Sequence, residues 1–182
     1  MPDLPMPEAV PTAFLDRDGT LIEERNYLSD PDQAVLLPGV ADGLKALMDR
    51  GFRLVVVSNQ SGIGRGYFSE ADAHLVNARV DGMLRAEGVD IAAWYICPHA
   101  PEQPCDCRKP SPGMVDQACE AFAVDLPASI MIGDKDIDLQ LAANRGMRGF
   151  LVTSGHAGKH IQWAQANGFG VFADIPSIAK SL

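Results

Sequence analysis

The sequence predicts an α/β fold: one domain in three layers, with a parallel sheet between two layers of helices. Three observations carry that prediction. Short apolar runs alternate with stretches of helical spacing along the whole 182-residue chain. One run, Arg53-Leu54-Val55-Val56-Val57, is continuously apolar after its arginine, as in a strand buried on both faces. Polar residues capable of chemistry also gather where the runs end, and parallel sheets bind ligands at the carboxyl ends of their strands. A chain of this length buries roughly 70% of the surface its unfolded form exposes, enough for a full core.

Taken in order, Thr12-Ala13-Phe14-Leu15-Asp16 reads as the first strand and ends on a carboxylate. Gly19 to Gly39 is rich in turn residues with little periodicity. Val40, Leu44, Leu47 and Met48 then keep helical spacing, and Gly51 is the expected stop. Arg53 to Val57 is the second strand. After a glycine-rich segment over Ser58–Gly66, Ser69 is placed to cap a helix carrying Val76, Val80, Met83 and Leu84, closed by Gly88. Trp94 to Cys97 is the third strand. Ser111-Pro112 predicts an N-cap and a first-turn proline for a helix reaching about Ala123. Ser129 to Gly133 follows as a strand, Ile137 to Arg145 as a short helix, and Arg148 to Val152 as a fifth strand. The tail adds a helix near Ile161–Ala166, a strand at Gly170–Phe172 and a last turn. No repeat or interdomain linker interrupts residues 12–182. Residues 1–11, acidic and rich in proline, are expected to form a flexible leader.

Composition narrows the function. The chain is 47% hydrophobic and 21% charged, ordinary for a soluble domain, and its longest apolar stretches are far too short to span a bilayer. The N-terminus lacks a basic region followed by an apolar run, so it does not read as a signal peptide, and a cytoplasmic location is expected. A net charge of -9 argues against a general nucleic-acid or membrane-surface binder, though small anionic substrates need only a few local cations. Cys119, left over on a predicted helix, agrees with a reducing compartment.

The informative residues sit at four predicted strand ends: Asp16-Arg17-Asp18-Gly19-Thr20, Ser58-Asn59-Gln60-Ser61-Gly62, Arg108-Lys109-Pro110 and Gly133-Asp134-Lys135-Asp136-Ile137-Asp138. Singly, an aspartate after a strand is usually a cap or turn residue, and a Ser-Asn pair is usually loop chemistry. Together they supply two carboxylates from separate strands, Asp16 and Asp134, able to hold a hard divalent cation such as Mg²⁺. Beside the metal, Ser58 and Lys109 could hydrogen-bond and neutralise a phosphoryl group.

In order, Asp16-x-Asp18-Gly19-Thr20, Ser58-Asn59, Lys109 and Gly133-Asp134-x-x-x-Asp138 resemble the four motifs of the haloacid dehalogenase superfamily of phosphatases, over residues 12–152. The resemblance implies a Rossmann-like fold and two-step phosphoryl transfer through an aspartyl-phosphate. It assigns Asp16 as nucleophile and Asp18 as general acid and base. Mg²⁺ would be held by Asp16, Asp134 and the main-chain carbonyl of Asp18, with Ser58 and Lys109 steadying the phosphoryl oxygens. Asp138 is expected to orient Lys135 or metal-bound water without ligating the metal. A phospho-accepting receiver domain is the non-enzymatic alternative. It typically carries its acidic pair after strand one and its acceptor on a later strand, and it has no use for a hydrolytic acid and base.

Three of the four cysteines lie in Cys97-x-His99-x5-Cys105-x-Cys107, which with the histidine makes a tetrahedral Zn²⁺ set. A disulfide is the alternative, but it leaves an odd cysteine and no task for His99. The loop holds four prolines over residues 98–110 and almost no large apolar side chain, so a closed, structural metal would replace a core. Such a metal would also fix the loop that delivers Arg108 and Lys109.

This zinc loop resembles the capless branch of the superfamily, and the chain leaves no room for a cap domain. Substrate selection then falls to residues 21–36, the segment after Ser58 and the zinc loop. Within the branch, Asn59-Gln60-Ser61-Gly62-Ile63-Gly64-Arg65-Gly66, Cys107-Arg108-Lys109-Pro110-Ser111-Pro112-Gly113-Met114 and Gly133-Asp134-Lys135 resemble the enzymes acting on a heptose 1,7-bisphosphate, in nucleotide-activated heptose and lipopolysaccharide biosynthesis. Arg65, Arg108 and Lys135 also suit a second phosphate. The five-residue gap between His99 and Cys105 is instead like that of histidinol-phosphate phosphatases, which remain the alternative. The resemblance places Asn59, Gln60, Ser61, Arg108, Lys135, Glu24, Asn26 and Tyr27 against substrate. His156 and His160 match no motif and read as exposed polar loop; Trp94 and Trp163 read as packing residues. A monomer acting on a small phosphorylated sugar is expected.

Overall fold

A computed structural model describes residues 8–182. Six strands form one parallel sheet: β1 (Thr12–Leu15), β2 (Arg53–Asn59), β3 (Ala93–Cys97), β4 (Ile130–Gly133), β5 (Arg148–Val152) and β6 (Gly170–Phe172). Their order is β3-β2-β1-β4-β5-β6. The helices are α1 (Val40–Asp49), α2 (Ser61–Gly64), α3 (Glu70–Ala86), α4 (Gly113–Ala121), α5 (Asp136–Asn144), α6 (Ile161–Ala166) and α7 (Ile175–Ser181). The predicted α/β class, the parallel sheet and the absence of a cap domain all hold among the described residues.

Side chains alternate across the sheet with period two. Ala13, Leu15, Leu54, Val56, Ile130 and Ile132 face α1, α3 and α7, whereas Phe14, Val55, Val57 and Met131 face α4 and α5. Helix spacing answers that pattern. Val76, Val80 and Leu84 of α3 are fully buried, each stabilising the fold by about 1.5–3 kcal/mol relative to exposure. α3 starts as its sequence predicts: Ser69 Oγ accepts from the Asp72 N–H while the Asp72 carboxylate accepts from the Ser69 N–H, a capping box.

Several boundaries shift by a residue or two: β2 runs to Asn59, beyond the expected Val57, and the short α2 forms within the expected glycine-rich segment. α4 begins at Gly113, so Pro112 occupies the N-cap and Ser111 does not. The Gly113 N–H donates to the Asp106 carbonyl at 2.9 Å, and this tie to the cysteine loop sets the first turn. Of the expected 1–11 leader, residues 1–7 lie outside the described residues. Val10 and Pro11 are already bonded: Val10 N–H donates to the Ala123 carbonyl, and the Pro11 carbonyl accepts from Arg53 N–H. Among the described residues no helix is long and apolar enough to cross a membrane.

The chain runs outward from β1 to β3, then returns to lay β4 on the other side of β1. The crevice opens where that direction reverses, at the carboxyl ends of β1 and β4. Asp16 and Asp134 follow those two strands directly.

Candidate active site

Lys109 organises the floor of the crevice. It is 2% exposed. Its Nζ donates to Asp16 Oδ1 at 2.8 Å and to the Val57 carbonyl at 2.8 Å, and lies 2.7 Å from Asp138 Oδ1. Burial alone would weaken its ammonium, but Asp138 and Asp16 reverse that and hold it well above its ordinary range. For Asp16, burial opposes ionisation, yet Lys109 and then Lys135 leave the carboxyl below the usual carboxylate range. Asp16 is therefore an anion that can attack. Asn59 clamps the backbone of Lys109 from both sides: its Oδ1 accepts from the Lys109 N–H at 3.0 Å and its Nδ2 donates to the Lys109 carbonyl at 3.2 Å.

Asp138 faces Lys109 with Oδ1, and its Oδ2 accepts from the Lys135 backbone N–H at 3.1 Å. The expected tie to Lys135 is present through its backbone N–H, and the contact with the Lys109 ammonium is an additional one not read from the sequence. Gly133 has to be glycine, because a Cβ there would collide with the Asp138 carboxyl group.

Asp16, Asp134 and Asp138 each offer an oxygen within 4.8 Å of the others. Burial, then the Asp16 charge, pushes Asp134 above its ordinary value. Its Oδ2 accepts from the His156 N–H at 2.7 Å, while its Oδ1 is buried with no partner. Three buried carboxylates thus face two ammonium groups, those of Lys109 and Lys135. An orphaned carboxylate oxygen among hard anionic donors fits a divalent cation such as Mg²⁺. Gly19, at φ +77°, lets the loop pass close: a Cβ there would lie 2.5 Å from Asp134 Oδ2.

Asp18 lies at the cleft edge. Gln60 Nε2 donates to Asp18 Oδ2 at 2.8 Å and to Ser58 Oγ at 2.8 Å. Gln60, expected against substrate, lines the cleft above and is also bonded to Asp18 and Ser58. Above them opens a cleft of about 300 Å³ lined by Asp18, Glu24, Asn26, Tyr27, Ser61 and Lys135, with His156 on its wall. His156 is an exposed loop residue, as expected, but the fold also brings it to the site. Its Nδ1 lies 3.4 Å from Asp134 Oδ2 and 3.7 Å from Glu24 Oε2, because Gly155 brings the turn after β5 against Asp134. No local motif marks it. Arg108 differs too: it does not line the cleft, and its guanidinium donates to the His99 carbonyl at 3.3 Å. Arg65 instead pairs with Glu102 at 3.4 Å. His160 sits 3.2 Å from Asp136. Trp163 stacks on Phe169, and Trp94 packs against the core, its indole N–H donating to Asp81 at 3.2 Å.

The cysteine loop closes on itself. Cys97 Sγ is 3.1 Å from Cys107 Sγ and 3.8 Å from Cys105 Sγ. His99 Nδ1 is 3.6 Å from Cys97 Sγ and 3.3 Å from Cys107 Sγ. All four cysteines are free, so the disulfide alternative does not form. With Zn–S near 2.3 Å and Zn–N near 2.0 Å, the edges of a tetrahedral site measure roughly 3.5–3.8 Å; two of these separations lie in that range and two, at 3.1 and 3.3 Å, are shorter, so a bound metal would spread those donors slightly. Burial pushes the Cys97 thiol up, with Cys107 adding to it, whereas at Cys105 burial is outweighed by hydrogen bonding from the Arg108 backbone and the thiol is held below its ordinary value. The loop docks on the segment after β2. Gln60 N–H donates to the Cys97 carbonyl and Gly64 N–H to the Pro98 carbonyl, each at 2.8 Å.

A parallel sheet with these four strand ends defines a phosphatase of the haloacid dehalogenase class, a phosphoric monoester hydrolase. A family model described as HAD-hyrolase-like matches residues 106–177. The chain is 39% identical over 184 residues to D-glycero-beta-D-manno-heptose-1,7-bisphosphate 7-phosphatase of Escherichia coli K12, covering 96% of each chain. It is 39% identical over 155 residues to the alpha-anomer enzyme of Photorhabdus laumondii, covering 81% of this chain and 85% of that one. Among solved structures it resembles D,D-heptose 1,7-bisphosphate phosphatase of B. bronchiseptica complexed with magnesium and phosphate, with a TM-score of 0.86, 31% identity, and 94% and 97% of the two chains covered. The chain belongs to the heptose 1,7-bisphosphate 7-phosphatase family of haloacid dehalogenase-like hydrolases.

Proposed function

We propose that this chain removes the C7 phosphate of D-glycero-D-manno-heptose 1,7-bisphosphate in nucleotide-activated heptose biosynthesis. The observation that carries the reaction is the buried Lys109, which holds Asp16 ionised at the switch point between β1 and β4. Asp16 attacks phosphorus in line, and the bond from phosphorus to the C7 oxygen breaks as Asp18 delivers its proton to that oxygen. Asp18 then takes a proton from water, which attacks the aspartyl-phosphate and frees Asp16. Ser58 and Lys109 steady the phosphoryl oxygens.

Asp16, Asp134 and the Asp18 main-chain carbonyl would hold Mg²⁺, and Cys97, His99, Cys105 and Cys107 would hold Zn²⁺. When bound, the magnesium ion offsets repulsion between the Asp16 anion and the phosphate, and zinc keeps the loop that delivers Lys109 closed. In the cleft, Glu24 and Asn26 meet sugar hydroxyls, Tyr27 and Ser61 bound the sugar, and Lys135 faces the anionic substrate. Burial pushes Glu24 above the usual carboxylate range, Lys135 pulling it back, which suits an acceptor for hydroxyl donors. We further infer a monomer acting in the cytoplasm without nucleic-acid or membrane partners; the acidic balance supports the absence of those partners, and the free cysteines support the location.

The short zinc loop favours a second reading, histidinol phosphate. Mg²⁺-dependent phosphate release from both anomers of heptose 1,7-bisphosphate and from histidinol phosphate tests the two together. The bisphosphate is expected to be preferred at least a hundredfold in kcat/KM, and the better anomer names the physiological one. Preference for histidinol phosphate would overturn the substrate assignment and leave the phosphatase chemistry standing.

A further inference from the structure

We propose that Arg17 and Asn77 are positioning residues that aim the Asp18 carboxyl group at the leaving-group oxygen, an inference that rests on Asp18 acting as the general acid. Arg17 lies between the two aspartates of the β1 motif and is only 1% exposed, the largest of the fully buried side chains. Taking a guanidinium out of water is costly before its partners are counted, and apolar side chains of similar volume are often at least as stable a filling. The charge at this position therefore calls for a use.

Its direction follows from strand parity. Ala13 and Leu15 face the layer of α1, α3 and α7, and Arg17, two residues further on, reaches the same layer. There its Nη1 donates to Asn77 Oδ1 on α3 at 2.7 Å. Asn77 is 4% exposed and sits beside fully buried Val76 and near Val80, so the acceptor is fixed by core packing. The opposite edge of the same guanidinium meets Asp18: Nε donates to Oδ2 at 3.1 Å and Nη2 to Oδ1 at 3.2 Å.

A guanidinium is planar, so anchoring one corner on α3 sets the orientation of the edge that grips the carboxyl group. Gln60 holds Asp18 Oδ2 from the end of β2 at 2.8 Å. Three donor contacts traced to three elements thus define where Asp18 points. Asn77 makes no other side-chain bond: its Nδ2 is buried without a partner. It is not the hub of a wider polar network, and its single contact serves Arg17. Neither Arg17 nor Asn77 lines the cleft, so neither is placed to bind substrate.

Such a role predicts a dependence on the leaving group that a purely structural role would not produce. When the alcohol leaves, its oxygen must gain the Asp18 proton as the bond from phosphorus breaks; p-nitrophenolate departs without one. The test compares kcat/KM for heptose 1,7-bisphosphate and glycerol 1-phosphate, both with primary-alcohol leaving groups, against p-nitrophenyl phosphate. Asn77→Ala is expected to lower kcat/KM for the two alkyl esters at least about tenfold more than for the aryl ester, a share of the 10²–10⁴ that general acid catalysis supplies. Asn77→Asp keeps the Oδ1 acceptor and replaces the unpartnered donor, and it should return the ratio to within about threefold of the parent value. Arg17→Lys, whose single ammonium cannot span both partners, should reproduce the Asn77→Ala ratio should that variant fold poorly. Equal losses on alkyl and aryl esters would overturn the positioning role. Asp18→Asn separates the two levels: no leaving-group selectivity in that variant would remove Asp18 as the acid and this inference with it, whereas selectivity there without any in Asn77→Ala would overturn this inference alone.

Discussion

Lys109→Met removes an ammonium group on which two buried carboxylates depend while keeping the side chain's length. Its Nζ lies 2.8 Å from Asp16 Oδ1 and 2.7 Å from Asp138 Oδ1, and both partners are at most 8% exposed at the side chain. Breaking a buried pair by deleting one partner costs about 3–5 kcal/mol, because the remaining charge stays desolvated. For a chain of this size each kcal/mol moves Tm by about 2–4 °C, so Tm should fall by about 6–20 °C near pH 8. The pH dependence has a definite sign. Burial pushes Asp138 up to about 7, with Lys109 pulling back and Asp16 adding to the rise. Without Lys109 the carboxyl climbs further. A carboxyl raised in the folded state is penalised fully above its folded value, and the penalty fades as pH falls toward the ordinary 3.8 of the unfolded chain. The gap between variant and parent should therefore narrow from about pH 8 to about pH 5. Scanning calorimetry in magnesium-free buffer, without chelators that would strip the cysteine site, measures both. A variant as stable as the parent at the higher pH, or a gap that widens on acidification, would refute the buried-charge account of this site.

Cys105→Ser should lower bound zinc from one equivalent to a small fraction and reduce kcat, since the loop presenting Lys109 loses its staple; metal analysis alongside turnover checks both. Gly64→Ala places a Cβ 2.5 Å from the Ala100 backbone nitrogen, so the docking of that loop must shift, and about 1–3 kcal/mol of stability should be lost in urea titration. Leu84→Ala, in the core far from the chemistry, should cost about 2–5 kcal/mol with KM unchanged. His156→Ala keeps the backbone N–H that Asp134 accepts from, so kcat should hold within about threefold while KM rises as the cleft wall opens.

Much of this protein is legible in one dimension. Buried strands, helix spacing and the Ser69 capping box are local patterns, set by residues two to four positions apart. The four cysteine-loop donors lie within eleven positions of one another, and the aspartates of the first and last motifs stand directly after β1 and β4, so their meeting follows from the parallel topology. What the sequence left open was direction. Arg108 was expected against substrate, yet it bonds to the His99 carbonyl; Gln60 does line the cleft, but its bridge between Asp18 and Ser58 was not foreseen. His156 stands 22 residues from Asp134 with no motif to announce it. Arg17 and Asn77 are 60 residues apart, and only the packing of α3 on the β1 face joins them. Local periodicity tells which face a residue occupies. The partner it finds there depends on distances of a few tenths of an ångström between elements far apart in the chain, and those exist only once the core has packed.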